Sequence, residues 1–238
     1  MTHGKKGDRA TGMNSPELLR FAVLAADVIL FAIREGRLVV RLIPVKHFPN
    51  SSAREGFPGG LLLPSENAEE TALRILETKT GISAAHVHLE QLYTFSRVDR
   101  DPRGRVVAVA YLALVPWDAL ELHEQGECAG SRWVPVTSAT GLAYDHDEMR
   151  ILALERLRSR IVYTTIIQKL LPKEFTLTDL EEAYELVLGR PIDKRNFRKK
   201  IIKLNILKEL AHRKEGGRHR PARLYCFQGK VIKDIGIL

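Results

Sequence analysis

Cysteine is scarce in this chain, and what there is shows no pattern. Cys128 and Cys226 are the only two among 238 residues, far apart and in unlike surroundings. They offer neither a disulfide framework nor metal-ligand spacing, so both are expected to be small buried side chains. Long apolar runs are missing too. The longest, Phe21 to Ile33, is interrupted by Asp27 and is too short to span a bilayer. Lys5, Lys6 and Arg9 precede it, but no small-residue cleavage site follows, so no signal peptide is expected. Aromatic residues are only 7% of the chain, and few lie among basic ones, which argues against stacking on single-stranded nucleic acid. Internal repeats are absent. Residues 1–20 are polar at their start and lack apolar periodicity, which predicts a flexible N-terminal tail. These absences point to a soluble, cytoplasmic protein with no membrane partner.

What is present in excess is positive charge, and it is lopsided. Residues 1–150 hold 17 Lys+Arg against 19 Asp+Glu, whereas residues 151–238 hold 20 against 10. Residues 190–223 alone carry 13 basic and 3 acidic side chains. A near-neutral first part and a basic second part predict two modules, the second meeting a polyanion. The expected division is a near-neutral domain over 21–160 and a basic domain over 161–238.

Apolar patterning gives the elements. Ala22 to Phe31 reads as a buried strand, and Leu38 to Ile43 as its hairpin partner across Arg34-Glu35-Gly36-Arg37. Pro44 to Gly60, with three prolines and three glycines, reads mostly as loop. Asn67 with Glu70 forms a capping box for a helix that Gly81 ends. Val87–Phe95 and Val106–Val115 read as strands, Arg132–Val136 as a short one. A long helix opens at Asp145 or His146. This mixture predicts an α/β/α sandwich. Beyond Val162 the pattern changes to short helices. They are expected at Tyr163–Leu171, after a Thr178–Glu181 capping box, and from Asp193 to about Leu204. Strand-like Ile206–Ala211 and Arg223–Phe227 then flank a basic Gly-Gly tip. Three helices and a two-stranded ribbon make a winged helix-turn-helix.

Two constellations carry chemistry. In the first, Pro58-Gly59-Gly60 leads into the capped helix. Gly60, Glu66, Arg74, Leu76, Gly81 and Ile82 then match G-x5-E-x7-R-E-U-x-E-E-x-G-U, where U is aliphatic. This resembles the signature of the Nudix hydrolases. The resemblance implies glutamates that hold divalent metals to activate water and neutralise a diphosphate, since hard cations need oxygen ligands. Here those positions hold Ile75, Thr78 and Lys79. Lys79 puts positive charge where the metal belongs, and Glu77 lies about 100° round the helix. No catalytic or metal-binding residue is therefore expected, and no cofactor is required. The remaining Glu66, Glu69 and Glu70 also read as an ordinary acidic helix start. What survives is a pocket frame. Gly59 and Gly60 admit a ligand close to the backbone. Lys46, Arg54, Arg97, Arg100 and Arg103 are the cationic candidates for a diphosphate, or else solvated surface. Phe57 either lines the pocket or packs in the core.

In the second, Phe197, Ile201 and Leu204 recur at i, i+4 and i+7 and should face inward. Lys194, Arg195, Asn196, Arg198 and Lys199 are left outward, where a recognition helix reads the major groove. Arg suits guanine edges, Asn adenine edges and Lys phosphates. Arg218, His219 and Arg220 belong to the wing.

Taken together, the chain resembles the NrtR-type Nudix-related transcriptional regulators, over nearly everything after residue 20. Leu89–Pro116, Arg132–Glu148, Phe175–Lys200 and Gly216–Phe227 carry the resemblance most specifically. It implies a homodimer on a palindromic double-stranded operator, usually a repressor. It also implies control of NAD synthesis or of sugar catabolism, with ADP-ribose or a related nucleotide as effector. By the same resemblance, DNA contact falls on Arg195, Asn196, Arg198, Lys199, Arg218 and Arg220. The rival expectation is an active hydrolase of ADP-ribose-like diphosphates with an accessory nucleic-acid domain; a third is an RNA-binding or protein-interaction module.

Overall fold

Strand β1 (Val23–Arg34) is apolar without alternation because both of its faces are covered. Ile29 and Phe31 enter one apolar cluster, while Val28, Leu30 and Ala32 enter another. The computed structural model describes residues 22–45, 54–128, 130–214, 222–229 and 231–237. The expected tail, Lys46, Arg218, His219 and Arg220 lie outside the described residues.

β1 turns into β2 (Arg37–Val45) through Glu35 and Gly36, whose φ values of 49° and 69° are both left-handed. That is the type I′ hairpin geometry, whose twist matches the flanking strands. The segment expected to be loop contains two short strands, β3 (Arg54–Gly56) and β4 (Gly59–Leu61). They exist because β3 adds to the end of β2 and β4 adds to the start of β1, pairings that local composition does not encode. Helix α1 (Ala68–Thr80) begins as expected, with reciprocal 2.9 Å hydrogen bonds between Asn67 and Glu70, and ends at Gly81 with φ 72°. Strands β5 (His88–Phe95) and β6 (Val106–Leu114), the short helix α2 (Leu122–Gln125), strand β7 (Arg132–Pro135) and helix α3 (His146–Tyr163) follow. The sheet order is β3-β2-β1-β6-β5, with β7 beside β2 and β4 beside β1, and β1 runs parallel to β6. Ala72, Ile75 and Leu76 of α1 cover one face. Met149, Ala153, Leu157 and Ile161 of α3, four residues apart, belong to the cluster on the other. The expected α/β/α sandwich is present.

The second part departs from expectation at its start. α3 continues through Tyr163, and only a 3-10 turn at Ile166–Lys169 stands where a helix over 163–171 was expected. Thr164 is extended and bridges Asp234, the Thr165 N–H donates to the Lys233 carbonyl, and the Ile237 N–H donates to the Val162 carbonyl. The C-terminal segment, distant in sequence, thus claims this backbone. Helix α4 (Leu177–Leu188) is capped by Thr176 with Asp179, two residues before the expected Thr178 with Glu181. Helix α5 (Lys194–Lys203) is capped by Asp193 and stops at Asn205, φ 49°. Strands β8 (Leu207–Lys214) and β9 (Ala222–Phe227) form the antiparallel ribbon. One apolar cluster runs from Phe31 and Leu42 through Leu157 and Ile161 to Leu180, Tyr184, Phe197 and Ile201. The two parts therefore share a core, with α3 as the common element. Both cysteines are free and half-buried rather than fully buried. No helix among the described residues is long and apolar enough to cross a membrane.

Candidate functional site

A cavity of about 530 Å³ opens beside the start of β1, between β4, the last turn of α1 and the first turn of α3. Glycine makes the close approach possible. A Cβ on Gly59 would lie 1.8 Å from Asp27 Oδ1, and one on Gly60 would lie 3.1 Å from Ile75 Cδ1. A side chain at Gly59 would displace Asp27, and one at Gly60 would press on Ile75.

The floor is a buried charge cluster. The Arg100 Nε donates to Asp145 Oδ2 at 2.8 Å, and its Nη2 donates to Asp145 Oδ1 at 2.7 Å and to Asp27 Oδ2 at 3.3 Å. Burial alone would favour a neutral guanidinium, but the two carboxylates outweigh it and hold the proton more tightly. The His146 Nδ1 accepts the Phe57 N–H at 2.9 Å, which leaves the ring proton on Nε2, 3.8 Å from Asp27 Oδ2. Burial pushes the His146 pKa down, so the ring is neutral. At the rim, Arg103 pairs with Asp101 at 2.7 Å, and its guanidinium lies 5.5 Å from the Tyr144 ring centroid. Burial pulls the Asp101 carboxyl up, yet the Arg103 hydrogen bonds prevail and hold it below the usual range.

The motif frame is built, and its side chains engage one another and the backbone. Glu66 clasps Arg74 through bonds of 2.6 and 2.8 Å and accepts the Thr71 hydroxyl at 2.9 Å, while Arg74 reaches the Leu61 carbonyl at 3.1 Å. The Arg74 hydrogen bond holds the Glu66 carboxyl below its ordinary range. This clamp closes the loop after β4 onto α1. Ile75 is fully buried in the α1-side core. Thr78 turns its hydroxyl back to the Arg74 carbonyl at 2.8 Å. Lys79 donates to the Gly59 carbonyl from the cavity wall. Among the described residues no group of three His, Cys, Asp or Glu side chains could hold a metal ion. The residues at the motif's metal positions do not suit a divalent cation.

Of the ligand candidates read from sequence, Phe57, Gly59, Gly60, Arg100 and Arg103 line the cavity. Arg100 does so as the centre of the buried ion cluster, not as a free cation. Arg54 is exposed at the start of β3, opposite Val45, and Arg97 pairs with Asp99 and Glu148; neither is among the described residues that line the cavity. Sequence reasoning missed Asp27, Tyr144 and His146. Asp27 had left a signal, a lone carboxylate inside an apolar run; the other two had none beyond their place at a helix start.

The basic helix is amphipathic as expected. Phe197 and Ile201 are buried, and Lys194, Arg195, Asn196 and Lys199 are exposed. Arg198 is not free on that outward face. It donates to both carboxylate oxygens of Glu181, whose side chain is wholly buried, and to the Thr178 hydroxyl at 3.3 Å. The carboxylate that was expected to cap α4 is instead held under α5.

Comparison with known proteins agrees over both parts. Residues 22–154 match the NUDIX domain, and residues 167–227 match the NrtR DNA-binding winged helix domain. The ADPR responsive transcriptional repressor of Acinetobacter baylyi is 34% identical over 209 residues, 86% of this chain and 82% of its own length. Shewanella oneidensis NrtR, solved with a 27mer DNA, aligns with a TM-score of 0.76 at 31% identity, over 86% of this chain and 93% of that one. Its NUDIX domain, solved with ADP ribose, aligns with a TM-score of 0.51 at 31% identity, over 60% of this chain and 93% of that one. The chain, a Nudix domain followed by a winged helix domain, belongs to the NrtR family of Nudix-related transcriptional regulators.

Proposed function

We propose that this chain is a bacterial transcriptional repressor that acts in the cytoplasm as a homodimer on a palindromic operator. Its cavity takes ADP-ribose or a related nucleoside diphosphate as effector and does not hydrolyse it. Its targets are genes of NAD or related nucleotide and sugar metabolism. The observation that carries this reading is the shared helix: α3 begins at the cavity with His146, behind which its N-cap Asp145 holds Arg100, and ends against the winged part. One relative, Shewanella oneidensis NrtR, supplies both ligands, having been solved with DNA and, as its NUDIX domain, with ADP ribose.

Effector and operator communicate only if the nucleotide prefers one of two arrangements. A diphosphate beside Arg100 competes with Asp145 for that guanidinium, so filling the cavity shifts the first turn of α3. The shared core passes that shift to α4 and α5, and hence to the spacing of two basic helices across the dimer. Lys194, Arg195, Asn196 and Lys199 are the base- and phosphate-facing side chains, with Arg218 and Arg220 on the wing. Lys46 belongs to the effector side.

The test is enrichment of a randomised duplex library on the full chain, followed by binding titrations with and without ADP-ribose. The expected result is a palindromic site whose affinity falls steeply with salt, as phosphate contacts require, and changes when ADP-ribose is added. Failure to prefer any duplex over single strands sinks the DNA reading. Turnover of ADP-ribose with magnesium or manganese sinks the claim that it is not hydrolysed.

A further inference from the structure

On the reading of the cavity as a diphosphate site, its electrostatics pose a problem. The floor holds one guanidinium, Arg100, between two carboxylates, Asp27 and Asp145. That cluster is net negative and repels an anion. At the rim Arg103 is already paired with Asp101. Lys79 differs from both. Its ammonium reaches from the last turn of α1 to the Gly59 carbonyl, and no carboxylate lies within ion-pair distance of it among the described residues. One of its three protons goes to that carbonyl, leaving two for a ligand. It also stands 3.9 Å from where a Gly60 Cβ would be, so the missing side chain leaves room for the ligand beside it.

We propose that the Lys79 ammonium is a resident cation that anchors the diphosphate and screens it from Asp27, so that nucleotide binding here needs no divalent metal. Lys79 stays in contact with solvent, yet the cavity walls withdraw enough water to lower its pKa, against the pull of Asp27. Thinner hydration also strengthens its attraction for an incoming phosphate. The helix end favours a cation at this turn, because the α1 carbonyls point toward it.

The test is calorimetric titration of the full chain with ADP-ribose and with inorganic pyrophosphate, each in excess EDTA and in magnesium. The wild type is expected to bind both with an affinity that EDTA leaves unchanged. Lys79→Gln should weaken both by roughly tenfold or more, the scale of a charged hydrogen bond. Lys79→Arg should retain most of the affinity, and melting curves establish that both variants are folded. Wild-type affinity in Lys79→Gln, or wild-type binding that EDTA abolishes, overturns the proposal; should Lys79→Gln not fold, Lys79→Arg and the EDTA arm still decide it. Lys79-dependent binding of pyrophosphate without binding of ADP-ribose upholds the anchor and removes ADP-ribose as effector. Binding of neither removes both.

Discussion

Arg100 grips both carboxylate oxygens of Asp145, at 2.8 and 2.7 Å, and both side chains are sealed from solvent. Asp145 occupies the N-cap position of α3 but makes no capping bond with its side chain. Its oxygens are committed to Arg100, so the cavity floor is fastened to the helix that enters the winged part.

Arg100→Leu is expected to lower the unfolding free energy by about 3–5 kcal/mol, because it leaves Asp27 and Asp145 buried without a partner. Urea denaturation measures this. A loss of about 0–1 kcal/mol, the worth of an exposed pair, would show that water reaches the cluster. Asp145→Asn is milder, since the amide oxygen can still accept from Arg100 while Asp27 keeps its own bond to the guanidinium. That variant is expected to keep its fold and its operator affinity while ADP-ribose loses its effect on that affinity.

The two arginines of α5 should separate by phenotype. Arg195 is exposed and has no partner among the described residues that would be stranded, so Arg195→Ala is expected to abolish specific operator binding with no fall in melting temperature. Arg198→Ala strands the buried Glu181 carboxylate. It should cost about 1–3 kcal/mol of stability, in addition to any loss of DNA contact. Equal melting temperatures for the two variants would mean that the Arg198–Glu181 pair is not held in solution.

The fold was legible where local physics decides it. The Asn67–Glu70 box, the Gly81 stop, Asp193 as a cap and the Phe197–Ile201 stripe all act within one or two helical turns, and each stands where its pattern predicts. Errors came where distant segments intervene. Thr164 is drawn out of helix by residues near Asp234, and Glu181 is taken from a capping role by Arg198. The cavity was half legible. Gly59 and Gly60 announced a close approach, but which arginine turns inward depends on carboxylates many residues away. Arg100 meets Asp27 and Asp145, while Arg97, three residues before it, meets only exposed partners.

Restoring the motif glutamates should not restore hydrolysis. Ile75 is packed with Ala72 and Leu76 in the apolar layer between α1 and the sheet. Ile75→Glu buries a carboxyl there without a partner, at a cost of at least roughly 2 kcal/mol. Thermal melting is expected to show this for Ile75→Glu alone and for the triple variant with Thr78→Glu and Lys79→Glu. The Thr78→Glu, Lys79→Glu double variant should stay folded yet give no phosphate-ester product from ADP-ribose in magnesium. Turnover by that double variant would mean that two acids suffice to seat the metal.

Acid should destabilise the protein through two imidazoles, the buried His146 and the half-buried His88. The His146 pKa is pushed below its ordinary 6.5 by burial, against Asp27, Asp145 and Asp147 and with help from Arg100. His88 is depressed in the same direction by burial and by Lys169, and its Nε2 is buried with no hydrogen-bond partner among the described residues. In the unfolded chain both rings take up a proton near the ordinary value, while in the native state they resist it. The unfolded state therefore binds more protons as pH falls, and stability declines with it. The urea midpoint is expected to be level above about pH 7 and to drop through about pH 6. Stability is lost as pH falls from the ordinary histidine value toward the lower native ones. His146→Gln should remove part of that slope and His88→Leu a further part. An undiminished slope in the double variant would overturn this assignment, because the depressed carboxylates Asp101 and Glu66 take up protons only at lower pH, below their ordinary values of 3.8 and 4.5.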